Sequence, residues 1–494
     1  MAVVLSGVFV FLSARVLAVL TPEYDEGTFI LGARFVGRGL RPFVDFAVHQ
    51  PPLHLYLLAL SGKLFGPTLF GYRMLSVLSV AGTGFLLFWL VQAFTGPVPA
   101  LVAQAVYLFS ASQVHALGAV AEPPMLFFTV LGIVLLFVGS AAASAVAFVV
   151  AALVKPTCVA VAIAAALSLV YARDGRRLAV FVLAGIGAAI AALAWTFVLS
   201  DGIFADVLRF TAGRVGAGTG GMWAVDTGFS DLRRILGIAT PMQWRLFCMK
   251  IFYLFPRRHL PAALFVAGFL GVPFWVRAGL RTRPALAAFA VLWPLSLLLL
   301  DFVVLDYVSA KYFVPFLAFT AFLVAGAVAG LERRLPPRAA IAATALGTIA
   351  LVWNFDATLG RQVDPWYYGR ADWITREYPL VVSFSPLMFA ANGTEPGCEF
   401  SNPPDTYGAF GQAVLGASER TRRLQFSDER LIECLRAHPQ ARIVVDFWFY
   451  FFTRPGSALR AYLHGPGNEQ VVFFSPQSLA QWDAPTMVDA DVAR

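Results

Sequence analysis

Two adjacent carboxylates, Asp25 and Glu26, follow almost directly on the first apolar segment of a 494-residue chain. Ionised carboxylates at a membrane boundary are costly unless they are solvated, paired or functional. A carboxylate held close to a hydroxyl group can act as a general base. The alternative is structural, because acidic side chains also favour the first turn of a helix, and "EGTFILGARFVGRG" predicts a helix beginning at this pair. Either interpretation makes this loop the first candidate site.

Further polar residues stand in short motifs between apolar segments. Asp45 and His49 share the first loop, in "RPFVDF" and "VHQPPL", and the second of these leads into an amphipathic segment expected to lie along the membrane surface. Lysine and arginine suit a phosphate ligand, although such residues also extend toward lipid headgroups. The candidate substrate-binding residues are Arg15, Asp45, His49, Glu122 in "AEPPMLFF", Lys155 in "VKPT", Arg257 and Arg258 in "YLFPRRHLP", and Lys311 and Tyr312 in "SAKYFVPFLAF".

The composition is that of a polytopic membrane protein. Hydrophobic residues make up 59% of the chain and charged residues only 13%, against about 25% in soluble domains. A crossing helix needs about 20 apolar residues. The net charge of +8 comes without a basic run interleaved with aromatic residues, so it does not indicate nucleic-acid binding. About eleven crossings are predicted, at residues 2–20, 69–94, 98–117, 124–139, 141–154, 156–172, 178–199, 261–277, 284–300, 312–331 and 339–355.

The dipeptide Lys155–Pro156 decides the predicted topology. One uninterrupted helix over residues 141–172 would be about 48 Å long, well beyond the hydrocarbon core, so two crossings that meet at Lys155 are favoured. With a cytoplasmic N-terminus, two crossings place the arginine-rich turns near residues 173–177, 277–283 and 333–338 in the cytoplasm, as the positive-inside rule requires. The candidate polar residues then share the extracytoplasmic face of a multi-pass cell-membrane protein.

The composition changes after residue 355. "LVVSFSPLMF", "ARIVVDFWFYFF" and "NEQVVFFSP" are strand-like, whereas "SDERLIECLRAHP" and "GSALRAYLHG" are helical. This alternation predicts a small extracytoplasmic α/β domain over residues 356–494, after an all-α membrane domain over residues 1–355 with outer loops at 21–68 and 200–260. Cys398 and Cys434 both fall in the outer domain, where a disulfide is permitted, and we hold their pairing as a hypothesis.

The first loop resembles that of a known enzyme family. An arginine in the first crossing (Arg15), the Asp25–Glu26 pair, "GRGLRPFVDF" and then "HQPPL" are similar to the first outer loop of glycosyltransferase family 39. That group includes protein O-mannosyltransferases, lipid A aminoarabinose transferases and lipopolysaccharide galacturonosyltransferase-like enzymes, all of the GT-C superfamily. The motifs around Glu122, Lys155 and Lys311 stand where family members have related ones.

The resemblance implies a GT-C membrane glycosyltransferase. Such an enzyme would move a sugar, with inversion, from a polyprenyl phosphate donor to a glycan, lipid or protein acceptor. Asp25 would be the catalytic base, with Glu26 positioning Asp25 or the substrate. No cofactor or metal is expected, since cationic side chains can meet a monophosphate, although Asp25, Asp45 and His49 could form a metal site. The alternatives are a membrane transporter, or a non-catalytic membrane anchor for the outer domain.

Overall fold

The fold is seen in a computed structural model, which describes residues 1–21, 24–46, 48, 50–200, 259–299, 310–392, 394, 397–398, 427–446, 449, 453 and 457–483. The membrane part begins with α1 (Ala2–Ala14). Two further helices follow, α2 (Tyr24–Gly37) and α3 (Leu53–Phe65). The next helices are α4 (Leu69–Gln92), α5 (Pro97–Ser110), α6 (Glu122–Val138), α7 (Ala141–Val154), α8 (Val159–Tyr171) and α9 (Gly175–Ser200).

After residues 201–258, which lie outside the described part, the helical bundle continues. It comprises α10 (His259–Gly268), α11 (Val272–Thr282), α12 (Pro284–Leu298), α13 (Val314–Glu332) and α14 (Pro337–Arg361). By length and composition, four of the described helices could each cross a bilayer unaided: α4, α9, α13 and the segment Arg338–Arg361 of α14. The described residues also include several shorter apolar helices, so the architecture is that of a polytopic membrane protein.

Local sequence explains several helix ends. Thr68 caps α4 by accepting a hydrogen bond from the Gly71 N–H at 3.3 Å. Ser140 caps α7 by accepting a hydrogen bond from the Ala143 N–H. Helix α7 ends at Val154 because the residue before a proline is driven into an extended conformation, and Lys155 has φ −157° and ψ 126°. A short 3-10 turn at Pro156–Cys158 then leads into α8, so the chain breaks at the predicted dipeptide.

A three-stranded parallel sheet lies beyond α14. Its strands are β1 (Val381–Ser383), β2 (Arg442–Val445) and β3 (Val471–Phe473), in the order β1-β2-β3, with Val382 opposite Ile443 and Val444 opposite Val472. Parallel neighbours need crossover connections, which contain helices here. The helices of this region are α15 (Pro365–Glu377), α16 (Leu387–Asn392), α17 (Asp428–Ala437), α18 (Ala458–Leu463) and α19 (Pro476–Asp483).

Alternate residues of the strands face opposite layers of helices. Val382 and Ile443 pack in one cluster with leucines of α17 and α18. Val381 and Val444 pack in another with Ile374 of α15 and apolar side chains of α16. The sheet therefore lies between two helical layers. The described strands are shorter than predicted, because Pro386 directly precedes the helix α16 inside "LVVSFSPLMF", and β2 ends at Val445.

Candidate active site

Asp25 lies in the first turn of α2, where its carboxylate contacts a lysine from a distant part of the chain. Lys311 donates a hydrogen bond from Nζ to Asp25 Oδ2. The lysine stands in a 3-10 turn, Ala310–Phe313, directly before α13. Its side chain is 5% exposed, whereas that of Asp25 is 29% exposed. The carboxylate therefore reaches the surface of the site while its cationic partner is buried behind it.

A second charge pair lies beside the first. Lys155 Nζ donates to Glu122 Oε1 at 2.6 Å, and both side chains are buried. Glu122 begins α6, and Lys155 occupies the break between α7 and the Pro156 turn. Asp25 and Lys311 both interact electrostatically with Glu122. The two lysines and two carboxylates therefore form one cluster, which we call the charge cluster, assembled from four separate segments.

Two buried polar groups at this cluster have unused hydrogen-bonding capacity. Glu122 Oε2 is buried and accepts no hydrogen bond. His54, on α3, is 1% exposed, packs edge-on to the Phe29 ring, and interacts electrostatically with Glu122 and Lys155. The Ala119 backbone lies near its ring, but neither ring nitrogen makes a hydrogen bond of normal geometry. Buried polar groups normally have partners, so such groups point to a ligand or ordered water.

Glu26 faces away from Asp25 into the protein interior. Both its side chain and that of Arg73 are completely buried, and the guanidinium group donates from Nε to Oε1 at 2.6 Å and from Nη2 to Oε2 at 2.7 Å. The backbone N–H of Ala119 also donates to Oε1 at 2.7 Å. Arg73 was missed at the sequence level. Its signal was a single arginine inside the apolar segment predicted at 69–94, because a charge within a crossing normally has a buried partner.

Arg73 also connects two parts of the chain, the segment just before Asp25 and the region after α14. Its guanidinium donates to the carbonyls of Leu17 and Leu20 and to the hydroxyl of Tyr368, the last at 3.0 Å. The Tyr368 hydroxyl in turn donates to the Leu20 carbonyl at 2.5 Å. Burial raises the pKa of Tyr368 to about 12, so it remains a donor at neutral pH. Glu26, Arg73 and Tyr368 form a buried network beneath the first turn of α2.

Helix α2 packs directly on α16. A Cβ atom added at Gly27 would lie 2.3 Å from the Leu387 nitrogen, so only glycine permits this approach. Arg34, further along α2, donates to the carbonyl oxygens of Phe389 at 2.7 Å and Ala390 at 3.1 Å. Such bonds satisfy carbonyls that a helix end leaves without partners. The helix carrying Asp25 is therefore held by the sheet region as well as by the membrane helices.

The other predicted site residues lie apart from the charge cluster or outside the described part. Arg15 forms an exposed ion pair with Asp356 at 3.4 Å rather than pairing with Asp25 or Glu26. Asp45 accepts a hydrogen bond from the Arg41 backbone N–H at 2.7 Å and so stabilises a local turn. Tyr312 shares the 3-10 turn of Lys311.

Three predicted site residues lie outside the described part of the chain: His49, Arg257 and Arg258. Because His49 was one of the three residues of the alternative metal site, that alternative also lies partly outside the described residues. Among the residues that are described, no three histidine, cysteine or acidic side chains form a possible metal site.

The fold of this chain is similar to the folds of several solved structures. No family model and no curated protein sequence matches the chain, so the likeness is one of structure. ArnT from Cupriavidus metallidurans bound to undecaprenyl phosphate aligns with a TM-score of 0.62 and 14% identity, over 87% of this chain and 90% of ArnT. Its apo structure aligns with a TM-score of 0.60 and 16% identity, over 91% and 93% of the two chains.

A second kind of neighbour is the oligosaccharyltransferase of Archaeoglobus fulgidus. Its apo structure aligns with a TM-score of 0.56 and 11% identity, covering 82% of this chain and 65% of the oligosaccharyltransferase. A structure of this enzyme, AglB, with an inhibitory peptide and a dolichol-phosphate aligns with a TM-score of 0.54. The fold that the resemblance predicted is thus confirmed by its likeness to both solved proteins.

Proposed function

We propose that this protein is a membrane glycosyltransferase that moves a sugar from a polyprenyl phosphate donor to an acceptor on the extracytoplasmic face. The observation that carries the proposal is the pairing of a partly exposed Asp25 with buried Lys311, next to the pair formed by Lys155 and Glu122. This cluster occurs on the fold of ArnT, which has been solved with undecaprenyl phosphate bound. Charge clusters also occur in transporters, but the fold favours transfer chemistry.

In the proposed reaction, Asp25 accepts the proton of the acceptor hydroxyl. The acceptor oxygen forms a bond to the anomeric carbon as the bond from that carbon to the phosphate oxygen breaks. The phosphate leaves with the bonding electron pair from the opposite face, which inverts the anomeric configuration. Lys311 is placed to exchange its hydrogen bond from Asp25 to the phosphate, because a lysine ammonium is a point charge with three rotatable donors.

Lys155 is the second proposed phosphate ligand. Its charge is compensated by Glu122 at 2.6 Å in the ligand-free protein, so phosphate binding requires a rearrangement of this pair. The break before Pro156 supports this role, because irregular backbone at membrane depth is tolerated where it is buried in protein or lines a cavity. No cofactor or metal is included in this mechanism.

Glu26 acts through Asp25 in this proposal and is a positioning residue. Its two carboxylate oxygens accept three hydrogen bonds, from Arg73 and the Ala119 N–H. These fix the first turn of α2 and hence the direction of the neighbouring Asp25 side chain. We further propose that residues 356–494 form an extracytoplasmic α/β domain that closes the site from above, since α16 packs on α2 at Gly27.

The proposal is tested with purified full-length protein in nanodiscs and a panel of polyprenyl phosphate sugars, with chelator and without added divalent metal. We expect at least one donor to be consumed. Asp25→Asn should lower the transfer rate by about 100-fold or more, since loss of a general base costs on the order of 10²–10⁴. Asp356→Asn is the matched control, because it removes a carboxylate at the exposed Arg15 pair.

The outcomes separate the three function classes. A transferase loses donor consumption in Asp25→Asn and retains it in Asp356→Asn. If folded wild-type protein leaves every donor of a broad panel unchanged, the transferase proposal is wrong. Flux of a donor or solute across sealed vesicles without any transfer would instead support a transporter.

A further inference from the structure

A long apolar groove runs beside α14, and none of its lining residues belongs to the charge cluster. Its walls come from α5, α10, α13 and α14, and its volume is about 460 Å³. The lining on α14 extends from Ala340 to Asn354, a distance of about 21 Å at 1.5 Å per residue. A space of this length and volume is narrow. It accommodates one extended hydrocarbon chain.

The walls of the groove are almost entirely aliphatic. Val102 and Val106 of α5 face Val324 and Val328 of α13, and small residues of α14 close the remaining side. Only 11% of the apolar window of α14 is buried, so most of this helix faces away from the bundle. Gly347 lies in the middle of the wall, and a Cβ atom there would meet no atom within 4 Å.

One end of the groove carries a polar group without a partner. The side-chain nitrogen Nδ2 of Asn354 is buried and donates no hydrogen bond. A buried amide without a partner is unfavourable, so an acceptor reaching this depth would bind favourably. The ester carbonyls of a phospholipid are acceptors, but they lie near its headgroup. If a lipid enters from the opposite end of the groove, only the apolar tail of its acyl chain reaches Asn354. Ordered water can then satisfy the Asn354 amide.

The other end of the groove opens at a turn rich in arginine. Glu332 and Leu335 line the groove there. The turn between α13 and α14 carries Arg333 and Arg334, Arg338 lies in the first turn of α14, and all three arginines are exposed. Arg333 lies over the Phe274 ring, 5.1 Å from its centroid. Basic pockets between helices at a membrane surface bind anionic lipid headgroups. Charge and shape are therefore complementary to a single lipid entering from this side.

We propose that the groove along α14 binds one acyl chain of an anionic phospholipid, whose phosphate is held by Arg334 and Arg338. The polyprenyl phosphate donor is a different lipid at a different place. Lys311, its proposed ligand, precedes α13, whereas the arginine turn follows Glu332 at the opposite end of that helix. The ends of α13 are about 28 Å apart, so the arginine end of the groove lies at the other membrane surface.

Native mass spectrometry of the full-length protein tests this inference. Phosphatidylglycerol and phosphatidylcholine with identical acyl chains are titrated separately into the delipidated protein. We expect one phosphatidylglycerol molecule to bind per chain with at least about fivefold preference, and Arg334→Gln with Arg338→Gln together to abolish that preference, since each basic residue near the surface contributes about fivefold.

Gly347→Leu places a side chain in the groove and should remove the bound lipid. The matched control is Gly187→Leu, where the same substitution falls on an exposed face of α9 with no atom within 4 Å, and there the lipid should remain. Equal binding of the two lipids by the wild type would overturn the inference, as would equal lipid retention by the two leucine variants. Specific retention of a polyprenyl phosphate in the groove would also overturn it. The arginine variants and the wild-type comparison decide the matter even if Gly347→Leu does not fold.

Discussion

At the scale of single residues, two neighbouring carboxylates have opposite environments. Asp25 is partly exposed and meets Lys311, whereas Glu26 is completely buried and meets Arg73. The difference follows from helix geometry, because successive residues of a helix point about 100° apart. One side chain of the pair is directed toward the candidate site and the next toward the core. The doubled acidic motif therefore places one carboxylate at the candidate site and the other in a buried ion pair.

The buried ion pair leads to a stability prediction. Arg73→Leu should lower the free energy of unfolding by about 3–5 kcal/mol, because Glu26 would be left as an uncompensated buried charge. Arg15→Leu removes an exposed partner of Asp356 and should have little measurable effect. Thermal unfolding of both variants in the same detergent gives the comparison. Similar midpoints for the two variants would contradict a structural role for Arg73.

The limits of sequence interpretation are also visible at this scale. The sequence placed Asp25, Glu122, Lys155 and Lys311 in short motifs, and the structure brings these four together. No sequence pattern predicted the partner of each carboxylate. Glu26 and Arg73 are 47 positions apart, and Asp25 and Lys311 are 286 apart, so the pairings depend on how helices pack. Helix packing of that kind leaves no pattern within a short stretch of sequence.

At the scale of elements, the contact between α2 and α16 connects the membrane part to the sheet region. Gly27→Ala should separate these helices, because the added methyl group would meet the backbone of Leu387 rather than a movable side chain. Overpacking of this kind costs about 1–3 kcal/mol, and transfer should fall because Asp25 lies two residues away. Gly37→Ala, at the end of the same helix with no atom within 4 Å, is the control.

Thermal unfolding and donor turnover are measured for both alanine variants. We expect Gly37→Ala to match or slightly exceed the wild type in stability, because alanine favours helix more than glycine by about 1 kcal/mol. If Gly27→Ala retains full stability and turnover, the contact between α2 and α16 does not support the candidate site.

Helix positions were more predictable than their ends. The apolar segments predicted at 69–94, 141–154 and 284–300 correspond to α4, α7 and α12 within a few residues. Helix α14 continues to Arg361, beyond the predicted end at residue 355, because its last residues remain favourable in a helix after the apolar pattern ends. The strand predictions were less accurate, since short apolar runs favour strand and helix alike.

At the scale of the whole molecule, a disulfide stabilises the sheet region. Cys398 and Cys434 are joined, as hypothesised from their shared location, while Cys158 is a buried free cysteine among the described residues. The bridge connects the segment beside β1 to α17. It spans a sequence separation of 36, which corresponds to a stabilisation of about 3–4 kcal/mol on the chain-entropy model.

Cys434→Ser should therefore destabilise the sheet region more than the membrane helices. Hydrogen exchange should increase in β1 and β2, with little change in α4 or α5, because the bridge lies outside the helical bundle. Alkylation before and after reduction, followed by mass spectrometry, should show that both thiols of the wild type are blocked until reduction. Free thiols in the unreduced protein would contradict the bridge.

The Tyr368 hydroxyl has a consequence for biosynthesis. It completes the hydrogen bonding of Arg73 and of the Leu20 carbonyl, and Lys311 completes that of Asp25, yet both residues are translated long after the first outer loop. A nascent chain still attached to the ribosome carries the proposed base without these late partners. If the proposed function is correct, the site is complete only once residue 368 has been inserted, and a translation product that ends before Tyr368 should consume no lipid-linked donor.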